Sequence, residues 1–162
     1  MEPQGIERKL AAVLSADVAG YSRLMGVDEE VTLKTLTEYR GAMGALISGH
    51  GGRIIGTAGD SVLAEFASAI EAVRCGIEIQ RDLEGRNAEL PSERRMDFHI
   101  DINLGDVMIE GDDIYGDSNN VAARLENISE PGGLCISATV FEHVRDRIPH
   151  DFEDLGEHLV KN

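Results

Sequence analysis

Basic side chains are scarce in this chain: 15 lysines and arginines stand against 30 aspartates and glutamates, a net charge of −15. No run of lysine and arginine interrupts the acidic surface, which excludes the electrostatic footprint of a nucleic-acid binder. The same surface repels a nucleoside triphosphate, so nucleotide chemistry here would rely on bound cations and a few placed basic groups. Cysteine is nearly absent. Cys75 and Cys135 each lie alone in apolar surroundings, which fits free, buried thiols in a reducing cytosol and disfavours a metal or redox role for them. No apolar run approaches the roughly 20 residues of a membrane helix, and Met1-Glu2-Pro3-Gln4-Gly5 lacks the basic and apolar regions of a signal peptide. Repeats, low-complexity tracts and long linkers are missing too. The expectation is a cytoplasmic single domain spanning 1–162, with 42% apolar residues and length enough for a sizeable core.

Within that frame the chain alternates strand and helix signals. Leu10 to Ala16 is apolar throughout and reads as a central strand. Asp28-Glu29-Glu30 supplies an N-cap and an acidic first turn. Leu36, Tyr39, Met43 and Leu46/Ile47 follow at helical spacing, with Gly49 expected at the C-cap. Arg53 to Ala58 and Ser61 to Phe66 read as strands joined by a tight turn at Gly59-Asp60. Ser68-Ala69-Ile70-Glu71 is a capping box, and Ile70, Val73 and Ile77 are expected to face inward. Arg86 to Arg95 reads as a polar loop. Phe98, Ile100, Ile102 and Leu104 alternate with polar residues, as a half-buried strand does. Val107 to Ile109 and Ile114-Tyr115 are expected to pair across a turn, and a helix is expected from about Asp117 until Pro131-Gly132-Gly133 breaks it. A strand at Leu134 to Ser137, a short helix and a strand around Phe152 to Val160 complete the chain. This order predicts an α+β fold: a ferredoxin-like β-α-β-β-α-β core with extra C-terminal strands and helices, its helices packed on a mainly antiparallel sheet. The sequence stops directly after a strand and is read as ending short of the domain's C-terminal end.

Two carboxylates stand out. Asp17 closes the apolar run Leu10-Ala11-Ala12-Val13-Leu14-Ser15-Ala16, and Asp60 follows the glycine of the Gly59-Asp60 turn. A carboxylate at the end of an apolar strand is costly to desolvate unless something cationic meets it. Either aspartate alone reads equally well as a turn residue. Two of them at adjacent strand ends point to hard divalent cations, which prefer oxygen ligands, and hence to phosphoryl transfer.

These segments resemble the catalytic domain of the class III nucleotidyl cyclases, the adenylate and guanylate cyclases. The resemblance runs from about Lys9 to Lys161. It rests on Ser15-Ala16-Asp17-Val18-Ala19-Gly20-Tyr21-Ser22, Gly59-Asp60, Asp113-Ile114-Tyr115-Gly116, Asn120-Val121-Ala122-Ala123-Arg124-Leu125, and Leu155-Gly156-Glu157 leading to Lys161. It implies that Asp17, Asp60 and the Val18 carbonyl hold two Mg²⁺ or Mn²⁺ ions, and that ATP is converted to cyclic AMP and pyrophosphate for intracellular signalling. Asn120 is then expected to orient the ribose, Arg124 to meet the α-phosphate, and Lys161 to grip the terminal phosphates. Asn120 and Arg124, four apart, share one helix face; an exposed polar face with Arg124 paired to Asp117 or Glu126 is the plainer reading. The resemblance also implies a homodimer in which Asp17 and Asp60 of one chain face Asp113, Asn120, Arg124 and Lys161 of the other.

Base recognition departs from the family's pattern. Asp113 matches the aspartate that accepts from adenine's amine, with Asp112 as the alternative if the turn shifts by one residue. The lysine that usually accompanies it falls on Gly56, which has no side chain. Arg53 lies three residues away, an offset that in an unbroken strand puts it on the opposite face; a bulge would be needed, and Thr57 has the same difficulty. ATP is therefore the expected substrate, with GTP as runner-up, and a non-catalytic dimerisation or nucleotide-binding module as the alternative from a different class.

Overall fold

The computed structural model describes residues 6–110, 113–115, 130–148, 152–154 and 158–161. Strand β1 (Ile6–Val18) leads into helices α1 (Tyr21–Val27) and α2 (Glu29–Gly49). The hairpin β2 (Arg53–Ala58) and β3 (Ser61–Phe66) is followed by helix α3 (Ala69–Ala88), a short 3₁₀ turn and strand β4 (Phe98–Glu110). Then come β5 (Asp113–Tyr115), β6 (Leu134–Ser137), α4 (Ala138–Val144), β7 (Phe152–Asp154) and β8 (His158–Lys161). All strands join one sheet in the order β2-β3-β1-β4-β6-β8-β7, with β5 paired to β4. The first four strands stand in the order of a ferredoxin-like sheet, and the only parallel ladder in the described residues is β4 with β6. The expected α+β fold is the observed one.

The sheet is apolar on the face its helices cover. Ala12, Leu14, Ala16 and Val18 of β1 share the core with Val62, Ala64 and Phe66 of β3 and with Phe98, Ile100 and Ile102 of β4. Leu36, Tyr39, Met43 and Ile47 of α2 and Val73, Ile77 and Leu83 of α3 close over them. The alternate residues of the same strands point the other way. That second face carries Ser15 and Asp17 of β1, Ser61 and Glu65 of β3, and Asp101 and Asn103 of β4. Polar chemistry is thus sorted onto one side of the sheet by strand alternation alone.

Several boundaries move from their expected places. Strand β1 extends beyond Leu10 and Ala16 at both ends, because its whole length pairs with β4. Helix α1 is an addition, too short and too polar on its exposed side to give a periodic signal. Helix α2 ends at the C-cap His50 rather than at Gly49, and Gly51 supplies the left-handed residue (φ 77°). Helix α3 runs on to Ala88, into the segment expected to be a loop. Asn87 explains this extension: it is buried, accepts from the Tyr39 hydroxyl (2.6 Å) and the Met96 amide (3.0 Å), and donates to the Met96 carbonyl (2.9 Å). The last strand is two, β7 and β8, paired antiparallel. The helix expected from Asp117 lies outside the described residues. Burial pushes both the Cys75 and the Cys135 thiol up to about 12, as expected of inert core cysteines.

The capping box forms only in part. Ser68 accepts from the Glu71 amide (3.2 Å), but the Glu71 carboxylate meets His50 Nδ1 (2.8 Å) and Arg74 (3.0 Å). The other ring nitrogen of His50 meets Glu78 (2.5 Å). A neutral imidazole donates from one nitrogen only, so a carboxylate at each nitrogen selects the imidazolium. Burial works against that charge, but the hydrogen bonds that His50 donates to Glu78 and Glu71 outweigh it and His50 titrates above its usual range. The His50 hydrogen bond holds the Glu71 carboxyl below its usual range, with Arg74 adding to it against burial. A raised histidine stabilises the fold below the unfolded-state value of about 6.5 and ceases to do so as pH rises through the folded value. Melting temperature should accordingly fall in the wild type as pH rises above about 6.5. His50→Asn should flatten that slope; an unchanged slope would remove the imidazolium from the account.

Candidate active site

Asp17 is the penultimate residue of β1, and Asp60 occupies the β2–β3 turn beside it, because β3 pairs antiparallel with β1 up to Val62 and Ala16. The turn is made possible by Gly59 in the left-handed region (φ 59°). The two carboxylates are laced crosswise. Asp60 Oδ2 accepts from the Val18 amide (3.1 Å), and the Ser61 hydroxyl donates to Asp17 Oδ1 (3.0 Å). Each aspartate is therefore held by the neighbour of the other, and both stay only partly buried. Arg40 of α2 donates to the Gly59 carbonyl and so ties the turn to the helix behind it.

This donor set suits a hard divalent cation. Carboxylate oxygens and a backbone carbonyl are the ligands such an ion selects. Among the described residues no group of three or more acidic, histidine or cysteine side chains gathers into a closed metal cage. An open site with two carboxylates is what magnesium uses, since it keeps several waters and takes phosphate oxygens from its substrate.

The other expected site residues fall elsewhere in the sheet. Asp113 opens β5 and pairs with Glu110, which itself pairs with Ile6 at the far end of β1 from Asp17. Lys161 ends β8, opposite Leu134, at the Asp17 end of the sheet but separated from β1 by β4 and β6. Gly56 lies on β2 opposite Leu63, and a Cβ added there would meet nothing within 4 Å. Asn120 and Arg124 lie outside the described residues. One chain thus brings Asp17, Val18 and Asp60 together and leaves Asp113 remote from them. Ser61 and Arg40 were not legible as site residues. A serine directly after the turn aspartate is a weak signal, and Arg40 is distant in sequence from the loop it holds.

Residues 7–162 match the model of the adenylate and guanylate cyclase catalytic domain. The chain belongs to that family. Putative adenylate cyclase 3 of Rhizobium meliloti (strain 1021) is 43% identical over 163 aligned residues, which cover 100% of this chain and 28% of that protein. The chain therefore spans less than a third of the length of this relative. Among solved structures, an adenylate/guanylate cyclase/hydrolase from Silicibacter pomeroyi superposes with a TM-score of 0.87 at 42% identity, covering 96% of this chain and 95% of that one. The guanylyl cyclase Cya2 superposes with a TM-score of 0.80 at 27% identity, covering 98% and 92%. Among the described residues no helix is long and apolar enough to cross a membrane.

Proposed function

We propose that this domain is an adenylate cyclase that converts ATP to 3′,5′-cyclic AMP and pyrophosphate in the cytoplasm, at sites shared by two copies of the chain. The observation that carries this reading is the crosswise-held pair Asp17 and Asp60. Together with the Val18 carbonyl they would hold Mg²⁺ or Mn²⁺. When bound, such ions lower the pKa of the ribose 3′-hydroxyl and offset the charge of the triphosphate. The chain's own part is placement. The hydrogen bonds from Val18 and Ser61 fix the carboxylates before substrate arrives, so no reorganisation is needed during reaction. Asn120 orients the ribose. Arg124 donates to the α-phosphate, where a permanently charged, forked donor meets two oxygens at once. Lys161 binds the terminal phosphates. The 3′-oxygen then displaces pyrophosphate from the α-phosphorus in line, and the hydroxyl proton leaves to solvent.

The remoteness of Asp113 from Asp17 supports the two-chain site. Ile6 and Asp17 lie eleven residue steps apart along β1, on the order of 35 Å of extended strand. A nucleotide touching both carboxylate groups would bridge two chains. A second reading, a non-catalytic dimerisation or nucleotide-binding module, is favoured by one observation: Gly56 leaves the position of the base-reading lysine without a side chain.

The test is product formation from ATP and from GTP with Mn²⁺ or Mg²⁺. Cyclic AMP as the main product supports the proposal, and its loss on chelation supports the metal requirement. Cyclic GMP as the main product transfers the assignment to guanylate cyclase. No product from a folded dimer with either metal would replace both with a non-catalytic module.

A further inference from the structure

The ladder between β2 and β3 is not regular. Arg53 pairs with Glu65 and Ile54 with Ala64, but Gly56 pairs with Leu63, so Ile55 is an inserted, bulged residue. The insertion reverses the side-chain alternation. Without it Arg53 and Gly56, three residues apart, would lie on opposite faces. With it their partners Glu65 and Leu63 are two residues apart on β3, and Arg53 and Gly56 share a face. That face is the one that carries Ser15 and Asp17, since Leu63 pairs with Ser15. Ile54 goes to the other side, where its Cδ1 lies 3.6 Å from the place of a Cβ on Gly44 of α2.

The Arg53 head group is held at one edge. Its Nε donates to Glu65 Oε1 at 2.9 Å; the glutamate side chain is 6% exposed and the arginine side chain 45% exposed. The bond engages Nε alone, and the two terminal amino groups of the guanidinium lie beyond it. The space above Gly56 is open. Position 56 lies two ladder steps from Arg53, about 7 Å, a span that a long arginine side chain covers.

We propose that Arg53 is the nucleobase-reading donor of this domain, supplied through the β2 bulge in place of a side chain at position 56, with Glu65 as the residue that positions it. The proposal rests on the cyclase reading above and deepens it. A guanidinium only donates, so it matches a ring nitrogen that accepts. Adenine N1 accepts; guanine carries a hydrogen on N1 and repels the same donor. Arg53 in this role selects ATP over GTP. A purely structural role for the pair, in which Arg53 does no more than neutralise a buried carboxylate, predicts lost stability without a change of selectivity.

The experiment measures kcat and KM for ATP and GTP on the full chain, with melting temperatures recorded alongside. Arg53→Ala is combined with Glu65→Gln so that no buried charge is stranded. Arg53→Lys serves as a second variant that keeps a cation beside Glu65 but loses the fork. Loss of one charged donor is expected to raise the ATP KM about tenfold and to lower the ATP-over-GTP ratio of kcat/KM by a similar factor, with kcat changed far less. Adding Gly56→Lys to the double variant should restore the ratio. An unchanged ATP KM and ratio in folded protein overturn the proposal. Asp60→Asn, run in parallel, separates the two levels. If the wild-type chain forms no cyclic nucleotide, the cyclase reading fails; if it forms product that Asp60→Asn abolishes while the Arg53 variants keep wild-type selectivity, only the role of Arg53 fails.

Discussion

Asp60→Asn should lower cyclase turnover by on the order of a thousandfold or more while leaving the melting temperature within a few degrees of wild type. The asparagine is chosen because it separates two jobs that the aspartate does. Asp60 Oδ2 accepts from the Val18 amide at the end of β1, and the side-chain carbonyl of asparagine can accept in its place. Alanine would leave that amide without its partner, a cost of about 1–3 kcal/mol, and would confound lost activity with a loosened strand end. Asparagine keeps the hydrogen bond and removes only the charge. If the charge is what binds a divalent cation, turnover collapses in a fold that melts normally. Asp17→Asn should behave alike, since Ser61 can donate to an amide oxygen as it does to Asp17 Oδ1. Retained turnover in a folded Asp60→Asn protein would mean that Asp60 is only the turn residue that its hairpin position also permits.

Much of this site was legible before the fold was known. Asp17 and Asp60 announced themselves because a charged residue at the end of an apolar strand is expensive, and two such strand ends beside a glycine turn limit where they can go. The order of the strands followed from alternation in Phe98 to Leu104 and from the hairpin at Gly59-Asp60. Illegible parts share a cause: they depend on contacts between residues far apart in sequence. Asn87 looked like a loop residue because it is polar, yet Tyr39 and the Met96 backbone bury it in a closed hydrogen-bond set. Glu71 looked committed to the capping box, but His50, from the end of the preceding helix, takes its carboxylate. The bulge at Ile55 has no composition signal at all. One inserted residue changed the face of Arg53, and with it the chemistry available beside Gly56.

The tight corner before β2 shows a related limit. A Cβ on Gly52 would stand 2.5 Å from the ring of Phe66, a core side chain only 1% exposed. Gly52 is therefore required by close approach rather than by backbone conformation, a distinction invisible in the sequence Gly51-Gly52. Gly51, by contrast, takes the left-handed conformation.

The measurement that bears most directly on the central claim mixes two inactive proteins. On the proposed account, Asp17→Ala lacks a metal-site carboxylate, and Arg124→Ala lacks the α-phosphate donor. Each homodimer has two broken sites. In a heterodimer of the two, one site receives Asp17 from one chain and Arg124 from the other and is whole; its twin carries both defects. An isologous dimer with random exchange makes about half heterodimers, each with one working site, so an equal mixture should recover about a quarter of wild-type turnover. Recovery near that level is the predicted result, and it requires both that Asp17 and Arg124 act in one site and that they come from different chains. No recovery, with subunit exchange verified by a tagged partner, would contradict the shared-site account.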